Sequence, residues 1–354
     1  MLLRIAFLGF GNVGQALAAL LQHKMPTLET QHNLQVQIVG VATGSHGLAI
    51  NPAGLDTTDL LSIADSGGSY DVLHQGQPIS SDDVPMFLAR VPADLLFESI
   101  PTSPHDGQPA YAFDYGALER GLHVVTANKG PVAFGYRDLT ALARRKGVGF
   151  FFESTLMDGA PVLATGREGL PGSEIKRIRG IFNSTTNYIL TRMEAEDLTF
   201  DEALSAAQAI GIAETDPSLD IDGWDSAIKT VIAANVLMGA DLRPSDVKRE
   251  GIRGVTRHRI RELASNGQRL RLMCYAERDA DGQVTARVQP EPVPADGELA
   301  AVQGTTSIVD FETDTLRRLS IVEHDPGPDT TAYGMFADML NILRGRYRTA
   351  FTKE

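Results

Sequence analysis

The chain has one cysteine, Cys274, in 354 residues. A single thiol excludes an internal disulfide and any metal site built from several cysteines, and it is compatible with a reducing compartment. It lies in the apolar run Leu270-Arg-Leu-Met-Cys-Tyr275, which predicts a packed core thiol. Zinc-type spacing is missing too: the eight histidines contain no H-x-x-x-H pair. No apolar run reaches the ~18 residues of a membrane span, and the N-terminus opens on a strand pattern in place of a signal peptide, so a cytoplasmic protein is expected. Basic residues are in the minority, 32 Lys and Arg against 45 Asp and Glu, for a formal net charge of -13. That balance argues against nucleic acid or an anionic membrane surface as partner, since either favours a basic face.

What is present is an ordinary globular composition, 43% hydrophobic and 22% charged, in a chain long enough for two domains. Leu2 to Leu8 is an apolar run that ends in Gly9-Phe-Gly11-Asn12-Val13-Gly14, and Gln15 to Leu21 follows at helical spacing. Strand, glycine turn and helix in that order predict a dinucleotide site. The glycines allow a tight turn and close approach of backbone N–H groups to a pyrophosphate, and the helix N-terminus favours its charge. Gln35 to Ala42 reads as the second strand, whose end is expected to carry the residue that separates NAD from NADP. The chain there reads Thr43-Gly-Ser-His-Gly47, with no acid for a ribose 2′-hydroxyl and no Arg or Lys for a 2′-phosphate. Thr43, Ser45 and His46 suit either cofactor, so the choice stays open.

Asp94 to Thr102 reads as a buried strand that places Glu98 and Thr102 at the nicotinamide end. Ala110 to Arg120 reads as a helix, and Gly121 to Ala127 as a strand delivering Asn128-Lys129-Gly-Pro131 to the same edge. A lysine there is placed for chemistry, and position alone fits a merely exposed lysine equally well. Tyr136 to Lys146 reads as an amphipathic helix. Val148 to Thr155 reads as a strand leaving the nucleotide domain, and Ile175 to Phe182 as another that runs into Asn183-Ser-Thr185-Thr-Asn-Tyr188, whose hydroxyls and amides suit a polar small-molecule headgroup or, slightly favoured, a helix cap. Arg243 to Arg261, rich in charge of both signs, reads as solvated surface.

Gly211 to Met238 is the densest stretch. Glu214, Asp216, Asp220, Asp222 and Asp225 precede Lys229. On a helix, Trp224, Ala227, Ile228, Val231 and Asn235 form one stripe, with Asp225 and Lys229 together on its flank. The turns beyond are apolar nearly all round, so the helix is expected to be buried and Lys229 drawn out of bulk water, with Asp225 as its partner.

These motifs, in order, resemble homoserine dehydrogenase: GFGNVG at 9 to 14, ESIPT at 98 to 102, HVVTANKGPVA at 123 to 133, FES at 152 to 154 with the following Gly and Pro up to 161, GIFNSTTNYIL at 180 to 190, and AQAIGIAETDPSLDIDGWDSAIK at 207 to 229. The resemblance implies an α/β fold: a Rossmann-type dinucleotide-binding domain over 1–150, completed by a C-terminal helix at about 330–354, plus an α+β catalytic and dimerisation domain over 151–329. It implies an enzyme of amino-acid biosynthesis, on the route to threonine and methionine, that interconverts L-homoserine and L-aspartate 4-semialdehyde with NAD or NADP. Lys129 and Lys229 become the active-site lysines, with Asp225 the acid beside them. Glu214 and Asp220 hold the substrate's amino end, and the Thr185 region touches the substrate. Gly9, Gly11, Asn12, Val13, Gly14, Thr43, Thr102 and Lys129 face the cofactor. A monovalent cation, usually sodium, is implied near Glu153 and the carbonyls of Leu156, Asp158 and Ala160.

A homodimer is expected as well, with an intersubunit sheet built from Thr285 to Val293, Thr306 to Phe311 and the segment around residue 150. The chain stops at Glu354, so a short form without the regulatory domain of some relatives is expected. Two positions depart from the family's pattern, Ser184 for a glycine and Met157-Asp158 for a glycine-rich turn. They motivate an alternative, a same-fold dehydrogenase of another small amino or hydroxy acid. A non-catalytic nucleotide sensor is a further alternative, against which the two lysines and Asp225 speak.

Overall fold

In the computed structural model, residues 1–345 are described. The chain forms two compact units, Met1–Gly159 together with the segment from Gly327 onward, and Ala160–Pro326.

The first unit is built on six strands, β1 (Leu2–Leu8), β2 (Gln35–Ala42), β3 (Leu48–Ile50), β4 (Leu95–Glu98), β5 (His123–Thr126) and β6 (Phe150–Phe151), in the order β3-β2-β1-β4-β5-β6. All pairs are parallel except β2 with β3. The order turns at the β1/β4 junction, the switch point where folds of this kind bind ligands. Strands buried on both faces explain the near-continuous apolar runs. The closing helix Pro328–Leu343 returns Met335, Phe336 and Met339 to a core with Phe7, Leu17 and Phe97. The rest of the expected 330–354 helix, from residue 346, lies outside the described residues. Among the described residues no helix is long and apolar enough to cross a membrane.

The second unit carries β7 (Ile175–Ile181), β8 (Lys248–Arg249), β9 (Gln268–Arg278), β10 (Val284–Pro294), β11 (Ser307–Thr313) and β12 (Arg318–Glu323), in the order β12-β11-β7-β9-β10-β8. Its pairs are antiparallel except β8 with β10. The helix Trp224–Met238 packs on β7, β9 and β10, buried from Thr230 through Asn235. Cys274 is buried in this sheet, and burial pushes its thiol up to about 11.

Five expectations need correction. The segment around residue 150 is no part of the second sheet: β6 is two residues long and pairs with β5. The chain then turns into a helix at Ser154, so the predicted strand to Thr155 is cut short. The first unit runs on to Gly159, beyond the expected 150, because Glu153 N–H donates to Asp338 (2.8 Å) and the Ser154 hydroxyl to Thr331 O (2.8 Å), both on the closing helix. Lys129-Gly-Pro131 is the first turn of the helix Lys129–Lys146, which begins seven residues before the expected Tyr136. Proline is tolerated there because its missing N–H has no partner to lose. Finally, Arg243 to Arg261 is not simply solvated surface. It contributes β8 and the buried Val247, Ile252 and Ile260.

Candidate active site

In the first unit the glycine turn has the geometry the motif demands. Gly9 has φ +91°, and a Cβ there would meet Ser99 C at 2.7 Å and Ile100 N at 2.9 Å, so only glycine fits against the β4 exit. A Cβ on Gly14 would meet Gly9 O at 2.9 Å, while Gly11 faces open space. Gly11 caps the helix Asn12–His32 with no side-chain hydrogen bond and no acid in the first turn. Gly11 and Asn12 are exposed and Val13 half-buried. An anion therefore meets backbone N–H groups that no side chain has claimed, which fits a pyrophosphate. Thr43 is less free than expected: its hydroxyl donates to Gly47 O (2.9 Å) and accepts from His46 N–H (2.9 Å), closing the β2–β3 turn.

At the β4 and β5 exits the expected pair divides. Thr102 is half-buried beyond the strand, but Glu98 is fully buried and cannot touch a cofactor. Its carboxylate accepts from Ile100 N–H (2.7 Å), the Thr126 hydroxyl (2.5 Å) and the Asn128 amide (3.4 Å). Asn128 in turn caps the helix, its Oδ1 accepting from Gly130 N–H (2.9 Å), so the start of the turn carrying the half-buried Lys129 is tied to Glu98. Burial pushes the Glu98 carboxyl up to about 7 against the hydrogen bonds that pull it down. The Asp114 carboxyl, buried with no hydrogen-bond partner, is raised well above the usual range, first by burial and then by the charge of Glu98.

In the second unit three of the sequence-predicted residues, Asp220, Asp225 and Lys229, come together. Lys229 and Asp225, one helical turn apart, pair at 3.3 Å with side chains 13% and 14% exposed. The Lys229 ammonium also donates to Phe182 O (2.7 Å), at the end of β7. Asn183 is the residue that sequence reasoning undervalued. Its Oδ1 caps the helix Ser184–Glu196 through Thr186 N–H (2.8 Å), as expected, while its amide donates to both Asp220 (2.7 Å) and Asp225 (3.0 Å). A capping asparagine gives no sign in sequence that its other end bridges two acids thirty-seven and forty-two residues on. The Thr185 hydroxyl donates to Ile212 O (3.2 Å), tying the loop before the acids to the same helix.

Asp220 sits above the ordinary carboxylate range because burial, and then the neighbouring Asp225, oppose its charge. The hydrogen bond from Asn183 and the charge of Lys229 pull it back. Glu214 is not drawn in: its side chain is exposed, and its carbonyl accepts from Gln208 (3.0 Å). Asp222 has another task, holding Arg253 at 2.9 Å and, through its carbonyl, Arg249, whose guanidinium lies 3.8 Å from the Trp224 ring centroid.

The segment implied for a cation holds the carboxylate of Glu153 and the thioether of Met157 beside its backbone carbonyls. Glu153 and Leu156 are buried, and Ala160 opens the second unit. Asp158 takes φ +33°, a strained value for a non-glycine residue, and its carboxylate accepts from the Thr331 hydroxyl (2.8 Å). Its carboxylate is thereby engaged, and its carbonyl lies where a Cβ on Gly334 would meet it at 2.6 Å.

The comparisons with known proteins give the family. The family described as Homoserine dehydrogenase matches residues 161–340, which include Asn183, Asp220, Asp225 and Lys229. The NAD(+)-dependent homoserine dehydrogenase of Pseudomonas canavaninivorans is 37% identical over 345 residues, 98% of this chain and 97% of that protein. The chain belongs to the homoserine dehydrogenase family. A homoserine dehydrogenase of Methanocaldococcus jannaschii is also 37% identical, over 96% of this chain and 98% of its own. A solved hyperthermophilic archaeal homoserine dehydrogenase in complex with NADPH matches with TM-score 0.83 at 28% identity, covering 98% of both chains. One from Thiobacillus denitrificans matches at 0.82 and 28%, covering 100% of this chain and 76% of that one. The expected fold, a Rossmann-type unit with a second α+β unit, is the one observed, and family membership makes the protein an oxidoreductase acting on a CH–OH donor.

Proposed function

We propose that the protein interconverts L-homoserine and L-aspartate 4-semialdehyde, with NAD or NADP held at Gly9 to Gly14 and the substrate at the Asn183, Asp220, Asp225 and Lys229 cluster. The nicotinamide, when bound, supplies or accepts the hydride at C4. The observation that carries the reading is the partly buried Lys229, paired with Asp225 and fixed by Phe182 O in the stretch that matches the family.

In reduction the carbonyl oxygen becomes an alkoxide and needs one proton. The Lys229 ammonium gives it, directly or through a water, and in oxidation the neutral amine takes it back. Asp225 favours the charged form of Lys229 and holds its direction. Lys129, in the first turn of its helix where the backbone dipole is positive, orients the carbonyl and stabilises the developing charge. Two acids, Asp220 and Asp225, share the Asn183 amide, and Lys229 supplies a cation to them. An α-ammonium is the natural second cation, which supports Asp220 as its main anchor, with Glu214 able to join only by movement of its exposed side chain.

A sodium ion held by Glu153 and the carbonyls of Leu156, Asp158 and Ala160 would stiffen that segment. The likeness of FES and the following Gly and Pro at 152 to 161 to the family supports the assignment. A homodimer is proposed through the second sheet, where Asp310, 1% exposed, has an oxygen without a hydrogen-bond partner and the edge strand β12 leaves Val322 43% exposed. Initial rates of NAD and NADP reduction with homoserine, against other small amino and hydroxy acids, test the substrate. Turnover of another acid in preference to homoserine would overturn it.

A further inference from the structure

The sequence at the end of β2 lacks the acid that usually distinguishes the two nicotinamide dinucleotides, but the fold supplies one from elsewhere. The 3₁₀ turn Tyr70–Leu73 is inserted between the two segments a dinucleotide would touch. On one side the Tyr70 ring packs edge-on against Phe10 of the glycine turn, with centroids 5.6 Å apart. On the other, Tyr70 N–H donates to His46 O (2.8 Å) in the β2–β3 turn. Asp71 follows directly. Its Oδ1 accepts from Leu48 N–H (2.9 Å), its Oδ2 from the Ser69 hydroxyl (2.9 Å), and a Cβ on Gly47 would meet its carboxyl carbon at 2.6 Å. The residue is nonetheless exposed. A fixed negative charge thus stands against the turn Thr43–Gly47, which contains no Lys or Arg to offset it.

We propose that Asp71 is the cofactor selector: it disfavours a 2′-phosphate by charge and accepts a hydrogen bond from a free ribose hydroxyl, so the protein prefers NAD. A 2′-phosphate carries close to two negative charges at neutral pH, and a carboxylate near it at the protein surface repels it without a counter-ion. A carboxylate already accepting two bonds retains lone pairs for a third. The inference rests on the dinucleotide reading of Gly9 to Gly14.

The test is equilibrium binding to the full chain, by calorimetry at about pH 8 and low salt, where surface charge is least screened. AMP is compared with adenosine 2′,5′-bisphosphate, and NADH with NADPH. The wild-type chain is expected to bind AMP and NADH at least tenfold more tightly than their 2′-phosphorylated counterparts. Asp71→Asn, which keeps the shape of the turn, shifts that ratio tenfold or more toward the 2′-phosphate. Ser69→Ala removes a partner of Asp71 but not the charge, and leaves the ratio within twofold. Tighter binding of the phosphorylated forms by the wild type, or a ratio unmoved by Asp71→Asn, overturns the selector. Binding of none of the four nucleotides would overturn the dinucleotide site itself, and the selector with it.

Discussion

Glu98→Gln tests the most unusual electrostatic feature of the first unit. Glu98 is fully buried, and burial moves its carboxyl from its ordinary 4.5 to about 7. In the folded chain it therefore keeps a proton that the unfolded chain has already lost. Its contribution to stability is complete below its ordinary value and is lost as pH rises through the folded value, that is, from about 4.5 to about 7. A displacement of that size corresponds to roughly 3 kcal/mol, which full burial leaves unscreened. Asp114, raised in the same direction, adds to the decline at higher pH.

Glutamine removes this titration while keeping the local geometry. Its oxygen still accepts from Ile100 N–H, and its amide donates to the Thr126 hydroxyl. Urea unfolding at several pH values between 4 and 8 measures the effect. The wild type is expected to lose roughly 3 kcal/mol over that range in excess of the variant, and the variant to gain on the wild type as pH rises. Parallel stability profiles for the two proteins would refute the reasoning, since they would mean that Glu98 is charged at no cost.

Other consequences follow from single contacts. Asp220→Asn is expected to raise KM for homoserine tenfold or more with little change in kcat, as steady-state kinetics will show, because it removes the proposed ammonium anchor and leaves Lys229 with Asp225. As the Asp220 carboxyl is raised, homoserine KM in the wild type should fall as pH climbs through its ionisation. Gly9→Ala places a Cβ 2.7 Å from Ser99 C at φ +91°. It should destabilise the first unit by about 2 kcal/mol or more and weaken nucleotide binding, read by thermal melting with and without NADH.

How far the sequence foretold this depends on the range of the interaction. β1, β2 and the glycine turn follow from local apolar runs and glycine spacing, and Leu2–Leu8 and Gln35–Ala42 coincide with the predicted strands. The Asp225 and Lys229 pair was legible because both lie on one helix. Glu98 looked like a cofactor contact because a polar residue at a strand end resembles a site residue. Its burial depends on Thr126 and Asn128, which only the β4/β5 pairing brings to it. The helix start at Lys129 was obscured by Gly130-Pro131, a turn signal that Asn128 converts into a cap. The bridging amide of Asn183, the hold of Arg253 on Asp222 and the placement of Asp71 beside Gly47 all join segments far apart in sequence, which no local pattern encodes.

The central claim, that Lys229 transfers the proton and Asp225 keeps it charged and aimed, is tested most directly by the kcat of Lys229→Ala, measured with saturating homoserine and nucleotide and checked for an intact fold by circular dichroism. The account predicts a loss of at least a hundredfold in kcat, with nucleotide binding unchanged. A variant that kept the wild-type kcat would contradict it.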